Sequence, residues 1–268
     1  MKTKPYAVIL DWAGTTVDYG SCGPASVFCR IFASQGVPIT AAEAREPMGR
    51  AKREHIATIS QMPRVAAAWK ERHGGPCGDA DVDRMYAGFL PLQKRVLAER
   101  SGVIPGVPAA VARLRAMGIV IGSSTGYTRE LMAVVEPIAA DQGYRPDVVC
   151  TADEVPAGRP EPWLNQLVAQ RLGVDLSAGV IVVDDTTVGI EAGLRSGATT
   201  VAVSQTGNML GLDEAEVAAL PVAELAARLQ LIEGVCRGLG AHHVIASVAD
   251  LPELIERLAL SAEDPRHG

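Results

Sequence analysis

The chain has 268 residues, of which 48% are apolar and 4% aromatic, and its net charge is −6. That length allows one large domain or a domain with an insertion. The negative charge removes the electrostatic case for nucleic acid or an anionic membrane surface, and no apolar run approaches the roughly 20 residues of a membrane span.

The basic start, Met1-Lys2-Thr3-Lys4-Pro5, leads into an apolar segment running only from Tyr6 to Leu10. This is too short for a secretory signal, and the expectation is a cytoplasmic protein. Ala7-Val8-Ile9-Leu10 is apolar without alternation, as in a strand buried on both faces of a parallel sheet. It ends in Asp11, and Gly14-Thr15-Thr16 then reads as a turn. Ligands of such sheets bind beyond the carboxyl ends of strands, so Asp11 is either a helix cap or a reactive group. From about Pro24 to about Arg100 only helical periodicity is visible. Its segments are Ala25–Gln35, carrying Val27, Phe28, Ile31 and Phe32, then Ala41–Arg45, Arg50–Ile59, Val65–Arg72 and Asp79–Glu99. The block predicts an all-helical domain, residues 20–100, inserted into a core made of residues 1–19 and 101–268. Gly20 and Gly102 are the hinge candidates.

Alternation follows. Helix Pro108–Met117, strand Gly118–Thr125, helix Thr128–Asp141, strand Asp147–Thr151, helix Pro160–Leu172, strand Val180–Asp185, helix Ile190–Ser196 and strand Thr199–Ser204 succeed one another. The tail, Asp213–Leu258, is mostly helical, with a possible edge strand at His242–Ala246. Strand–helix alternation implies right-handed crossovers and a doubly wound parallel α/β sheet. The five cysteines, Cys22, Cys29, Cys77, Cys150 and Cys236, form no CxxC pair, so neither a metal knuckle nor a disulfide framework is indicated.

Parallel strands place their polar ends on one rim. Here these ends are Asp11, Ser123-Ser124-Thr125, the loop Pro156-Ala157-Gly158-Arg159-Pro160, and Asp184-Asp185. Two acids can hold a Mg²⁺ ion, which favours hard oxygens. Hydroxyls and Arg159 can hold phosphate oxygens, and a carboxylate facing a phosphoryl group is a plausible nucleophile.

The order DxxGTT, hydroxyl-ended strand, basic residue and DD strand resembles the haloacid dehalogenase superfamily of phosphotransferases, from Tyr6 to Ser204. The helical block lies where that superfamily inserts its cap. Its phosphatases carry a second aspartate two residues after the nucleophile to protonate the leaving oxygen, and here that position is Ala13. Alanine donates no proton, which points away from an alkoxide leaving group. A carbon leaving group needs an electron sink instead, and a lysine imine is one. Lys52 lies near the start of a predicted helix, whose dipole disfavours an ammonium, and Arg50, Arg53 and His55 would lower its pKa further. Met48 and His55, at i−4 and i+3, would share its face if the helix starts early. By itself a lysine reads as a solvated surface residue; paired with Ala13, the reactive-amine reading is preferred.

Four segments, Asp11–Gly20, Pro47–His55, Thr125–Glu130 and Pro156–Trp163, are similar to the phosphonatase branch of that superfamily, which cleaves a carbon–phosphorus bond. This resemblance implies a small-molecule substrate, phosphonoacetaldehyde, met in 2-aminoethylphosphonate breakdown, with Asp11 as nucleophile and Lys52 as imine former. It implies Met48, Gly49, His55, Thr125, Gly126, Tyr127 and Arg159 as substrate-binding or auxiliary groups. Mg²⁺ would be held by Asp11, the Ala13 carbonyl and Asp185, and two copies would pair through their caps. Asp18 reads equally as a cap of the linker, Tyr127 as packing and Cys22 as a small filler. Gly189 departs from the superfamily, many of whose members have a second acid there; the Asp184-Asp185 pair offers a replacement. The alternatives are a phosphomonoesterase or phosphomutase, which Ala13 opposes, and a silent binding module, which intact Asp11, Arg159 and Asp185 oppose.

Overall fold

The computed structural model of the chain describes residues 5–263. Residues 1–4, with most of the basic N-terminal segment, and residues 264–268 belong to the expected core but lie outside the described residues. The sheet has six strands, β1 (Ala7–Leu10), β2 (Val120–Thr125), β3 (Val148–Thr151), β4 (Val180–Asp184), β5 (Thr199–Val203) and β6 (His243–Ile245), in the order β3-β2-β1-β4-β5-β6. Every pairing is parallel. β1 lies between β2 and β4 and is buried throughout, which is why its sequence does not alternate. Leu10 pairs with Ser123 on one side and Val183 on the other, so Asp11 emerges level with Ser124 and Asp184.

Successive residues of β1 serve opposite faces. Val8 and Leu10 join the core under α6 (Val107–Ala116), α7 (Arg129–Asp141) and α12 (Leu251–Glu263). Ala7 and Ile9 join the smaller one under α8 (Trp163–Leu172). Near the opposite edge, α9 (Thr187–Arg195) and α11 (Val222–Gly238) meet β5 through Ile190, Ile232 and Cys236 around Ala202. The short α10 (Glu214–Ala219) precedes α11.

Between β1 and α6 lie five further helices: α1 (Cys22–Ser34), α2 (Ala41–Arg45), α3 (Lys52–Gln61), α4 (Pro63–His73) and α5 (Asp79–Arg100). They have their own apolar core, in which Phe28 and Phe32 of α1 meet Ile56, Trp69 and Phe89. Each such side chain contributes about 1.5–3 kcal/mol on burial, and this cluster is separate from the clusters that pack on the sheet. The two chain crossings between core and insert run side by side: the Asp18 N–H donates to the Gly102 carbonyl at 2.9 Å, and Val17 bridges Val103.

The expected elements are present with shifted ends. The helix read from Pro160 begins at Trp163, leaving Pro160 and Pro162, which have no N–H, in the preceding loop. α9 begins three residues before Ile190, because the Thr186 side chain accepts the Gly189 N–H at 3.1 Å and caps it. No described helix is long and apolar enough to cross a membrane.

Candidate active site

The rim at the carboxyl ends of β1 and β4 gathers three buried carboxylates. One oxygen of each of Asp11, Asp184 and Asp185 lies within 4.8 Å of the others. The Arg159 guanidinium enters from the loop after β3. Its Nη1 reaches Asp11 Oδ1 at 2.7 Å and Asp184 Oδ2 at 3.0 Å, and its Nη2 donates to the Ser124 carbonyl and hydroxyl, both at 3.0 Å. Asp185 accepts the Thr15 hydroxyl at 2.9 Å and the Asn208 N–H at 2.7 Å. The turn after Asp11 is tied back by Thr16, whose hydroxyl donates to the Asp11 carbonyl at 2.8 Å.

Burial pushes the Asp11 carboxyl up to about 6; Arg159 opposes that rise and Asp184 adds to it. Asp185 is held well above the usual carboxylate range by burial and then by Asp11 and Asp184. One guanidinium facing three carboxylates is an imbalance that a divalent cation would correct, and a donor set of hard oxygens suits one.

The helical insert supplies the opposite wall. Lys52 is the first residue of α3 and is only 4% exposed, with its Nζ 4.9 Å from the Tyr127 ring centre and 5.7 Å from that of Phe28. Burial lowers its pKa to about 8; Asp11 pulls it back up and Arg159 pushes it down. Two expectations are corrected here. Arg50 and Arg53 turn outward to Glu54 and to Asp79 and Asp83, so their charge is spent at the surface. His55 adds no charge either: it is buried, stacked on Phe28 with ring centres 3.7 Å apart, and held neutral well below its usual pKa by burial and then by Lys52. Its Nε2 lies 2.8 Å from the Ala44 carbonyl, which assigns the proton to Nε2, and Nδ1 has no partner. Met48 does not share a helical face with Lys52, since α3 starts only at Lys52; the preceding loop brings it in.

Asp11, Ala13, Met48, Gly49, Lys52, Thr125, Gly126, Tyr127 and Arg159 line one small cavity of about 20 Å³, together with Ser21, Pro24 and Thr186. His55 stands behind Lys52 on Phe28, and Asp185 beside Asp11. The Tyr127 hydroxyl is buried without a partner, and burial holds its pKa well above 10. The insert's loop approaches the turn after β2 so closely that a Cβ on Gly126 would stand 2.9 Å from the Gly49 carbonyl oxygen and 3.1 Å from that of Arg50. Asp18 takes its structural reading: its carboxylate accepts the Gly23 N–H at 3.0 Å at the start of α1, and burial pushes its pKa up to about 7. Cys22 packs between Arg45 and Gly211.

Sequence reasoning passed over Phe28, whose spacing marks it only as a core residue, and over Arg45 and Asn208, for which no local pattern exists. Arg45, on α2, donates to the carbonyls of Gly20 (2.6 Å), Ser21 (3.2 Å) and Gly211 (2.9 Å). Asn208, whose N–H holds Asp185, donates its side-chain amide to the Arg45 carbonyl at 3.2 Å.

A family model described as haloacid dehalogenase-like hydrolase matches residues 6–197. The chain is 44% identical over 263 residues to a phosphonoacetaldehyde hydrolase of Nitratidesulfovibrio vulgaris, covering 96% of this chain and 94% of that one. It is 48% identical over 250 residues to one from Paraburkholderia xenovorans, covering 93% of each. The crystal structure of a phosphonoacetaldehyde hydrolase-like protein from Oleispira antarctica superposes with a TM-score of 0.95 at 42% identity, over 97% of this chain and 95% of that one.

Proposed function

Since the chain belongs to the haloacid dehalogenase-like hydrolases and, within them, to the phosphonoacetaldehyde hydrolases, we propose that it cleaves the carbon–phosphorus bond of phosphonoacetaldehyde to acetaldehyde and phosphate, in 2-aminoethylphosphonate breakdown. The observation that carries this reading is a buried lysine amine sharing one cavity with the rim carboxylate, while alanine stands at 13.

Lys52 in its neutral form attacks the aldehyde carbon, and the carbinolamine takes up a proton on its hydroxyl and loses water to give a protonated imine. The Asp11 carboxylate then attacks phosphorus. The electrons of the breaking C–P bond pass into the iminium to form an enamine, so no acid at position 13 is needed. Water hydrolyses the aspartyl phosphate; the enamine takes a proton on carbon, and hydrolysis of the iminium frees acetaldehyde and Lys52. Arg159, Thr125 and Gly126 hold the phosphoryl oxygens. Met48, His55 and Tyr127 shape the imine pocket, with His55 kept neutral against Phe28. Asp11, the Ala13 carbonyl and Asp185 would hold Mg²⁺, whose chemistry there is to offset phosphonate charge so that one anion can approach another.

Residues 20–100 act as a lid on hinges at Gly20 and Gly102, closing to exclude water from the imine and opening to release products. We also expect a cytoplasmic homodimer joined through the lids. Family resemblance is its support, because Val27, Phe28, Ile31 and Phe32 are consumed by the lid's own core.

Borohydride reduction during turnover with phosphonoacetaldehyde, followed by peptide mass mapping, is expected to find the adduct on Lys52. Asp11→Ala should retain that adduct while losing phosphate release. An adduct elsewhere, or none, overturns the proposal. Hydrolysis of p-nitrophenyl phosphate undiminished in Lys52→Ala would favour a phosphomonoesterase or phosphomutase instead.

A further inference from the structure

We infer that Asn208 is a positioning residue that joins lid closure to metal binding at Asp185, so that the closed lid tightens the cation site and the cation holds the lid closed. The inference rests on two readings given above, of Asp185 as a metal-holding group and of residues 20–100 as a lid.

Four attachments meet in the loop that follows β5. The Asn208 N–H donates to Asp185 Oδ2 at 2.7 Å. The Thr206 hydroxyl donates to the Gly14 carbonyl at 2.9 Å, in the turn after the nucleophile. The Thr206 carbonyl accepts the Gly20 N–H at 2.8 Å, at the hinge. The fourth attachment reaches the lid. The Asn208 side-chain amide donates to the Arg45 carbonyl at 3.2 Å, its oxygen accepts Arg45 Nη1 at 3.4 Å, and Arg45 Nη2 donates to the Gly211 carbonyl at 2.9 Å. Asn208 thus turns its main chain to the core carboxylate and its side chain to the lid.

The loop cannot shift far without disturbing Asp185. A Cβ on Gly207 would stand 2.6 Å from the Asp185 Cβ, and one on Gly14 would stand 2.2 Å from Asp185 Oδ2. The carboxylate is wedged between the nucleophile turn and this loop. Thr15 supplies a donor to Oδ1 and Asn208 one to Oδ2. A carboxylate oxygen has two lone pairs, so each keeps one for a cation. When the lid opens, α2 carries Arg45 away. Asn208 then loses both side-chain partners and Gly211 loses its donor, which frees the loop and the N–H that fixes Oδ2. Partners of this kind orient the groups that hold a metal. Linkage is reciprocal: a closed lid that raises cation affinity is favoured by the cation to the same degree.

The test uses the full chain with Mg²⁺ alone as probe, read by calorimetry and by the rate of protease cleavage in the crossings near residues 20 and 102. In wild type, saturating Mg²⁺ should slow cleavage by roughly fivefold or more, the lower end of typical couplings between sites. Asn208→Ala keeps the N–H but loses the grip on Arg45. It should bind Mg²⁺ roughly tenfold more weakly, and saturating Mg²⁺ should change its cleavage by less than about twofold. Arg45→Ala/Asn208→Ala should bind Mg²⁺ within about threefold of Arg45→Ala, because both residues act through one contact. Thr206→Val loosens the same loop without touching the lid, and should keep the Mg²⁺ protection. Should Asn208→Ala fail to fold, Asn208→Ser, which shortens the side chain away from Arg45, is read in its place. The inference is overturned if the folded variant at 208 keeps wild-type protection, if its Mg²⁺ affinity stays within about threefold of wild type, or if Thr206→Val loses protection as fully. It is also overturned if Mg²⁺ leaves wild-type cleavage unchanged; a Lys52 adduct formed by that chain would keep the proposed reaction standing. Protection present in wild type and lost at 208, in a chain that forms no Lys52 adduct, would defeat the reaction and support the coupling.

Discussion

Lys52 is an amine whose ordinary pKa of 10.5 is lowered to about 8, because its charged form loses water on burial while Asp11 and Asp18 only partly compensate. Imine formation uses the neutral amine, so the rate of adduct formation should climb with pH and level off above about 8. Asp11 favours the ammonium, so Asp11→Asn should move the inflection to lower pH. Borohydride-trapped adduct against pH measures both, and an inflection that stays put or rises in Asp11→Asn contradicts this account of the shift. The same burial has a stability consequence. Between about 8 and 10.5 the unfolded chain holds the proton that the folded chain has released, so Lys52 makes folding more favourable as pH rises across that window and imposes its full cost below it.

Among the elements, the loop before α3 and the turn between β2 and α7 decide how closely lid and core meet. Their contact leaves no room for a side chain at 126, where an added methyl carbon would stand 2.9 Å from one backbone carbonyl and 3.1 Å from the next. Backbone does not swing aside as a flexible side chain does, so Gly126→Ala should push the loop, and Lys52 with it, away from Asp11. Small misplacements of reacting groups are costly. The expected result is kcat/KM lower by on the order of tenfold or more, with the melting temperature little changed. Steady-state kinetics beside a thermal melt would show it, and unchanged kcat/KM would mean the closed contact is not the working one.

Across the whole molecule, Arg45 fastens lid to core. It spans from α2 to the carbonyls of Gly20 and Gly211, and Asn208, which it meets, also holds Asp185. A charged donor serving several backbone acceptors contributes about 1.5–3 kcal/mol per bond, so Arg45→Ala should open the lid measurably. Protease cleavage in the crossings near residues 20 and 102 should accelerate, and KM should rise by roughly tenfold. Arg45→Lys, which keeps the charge but not the fork, should restore only part of this. Cleavage and KM that match wild type would remove Arg45 from any part in closure.

Much of this was legible in the chain alone, because it depends on neighbours in sequence. Unalternated apolar runs ending in acids and hydroxyls mark buried parallel strands and set Asp11, Thr125 and Asp185 on one rim. The periodic stretch between β1 and β2 marks a helical insert, and Ala13 beside Lys52 narrows the chemistry. What only the tertiary structure decided depends on residues far apart sharing volume and charge. His55 is neutral because Phe28 covers it, and Arg50 and Arg53 are spent on surface acids. Asp184 takes its place because Gly189 has no side chain, and Arg45 reaches across to a loop more than 160 residues away. Desolvation, excluded volume and long-range pairing leave no periodic trace in a sequence, whereas the burial of a strand or a helix face does.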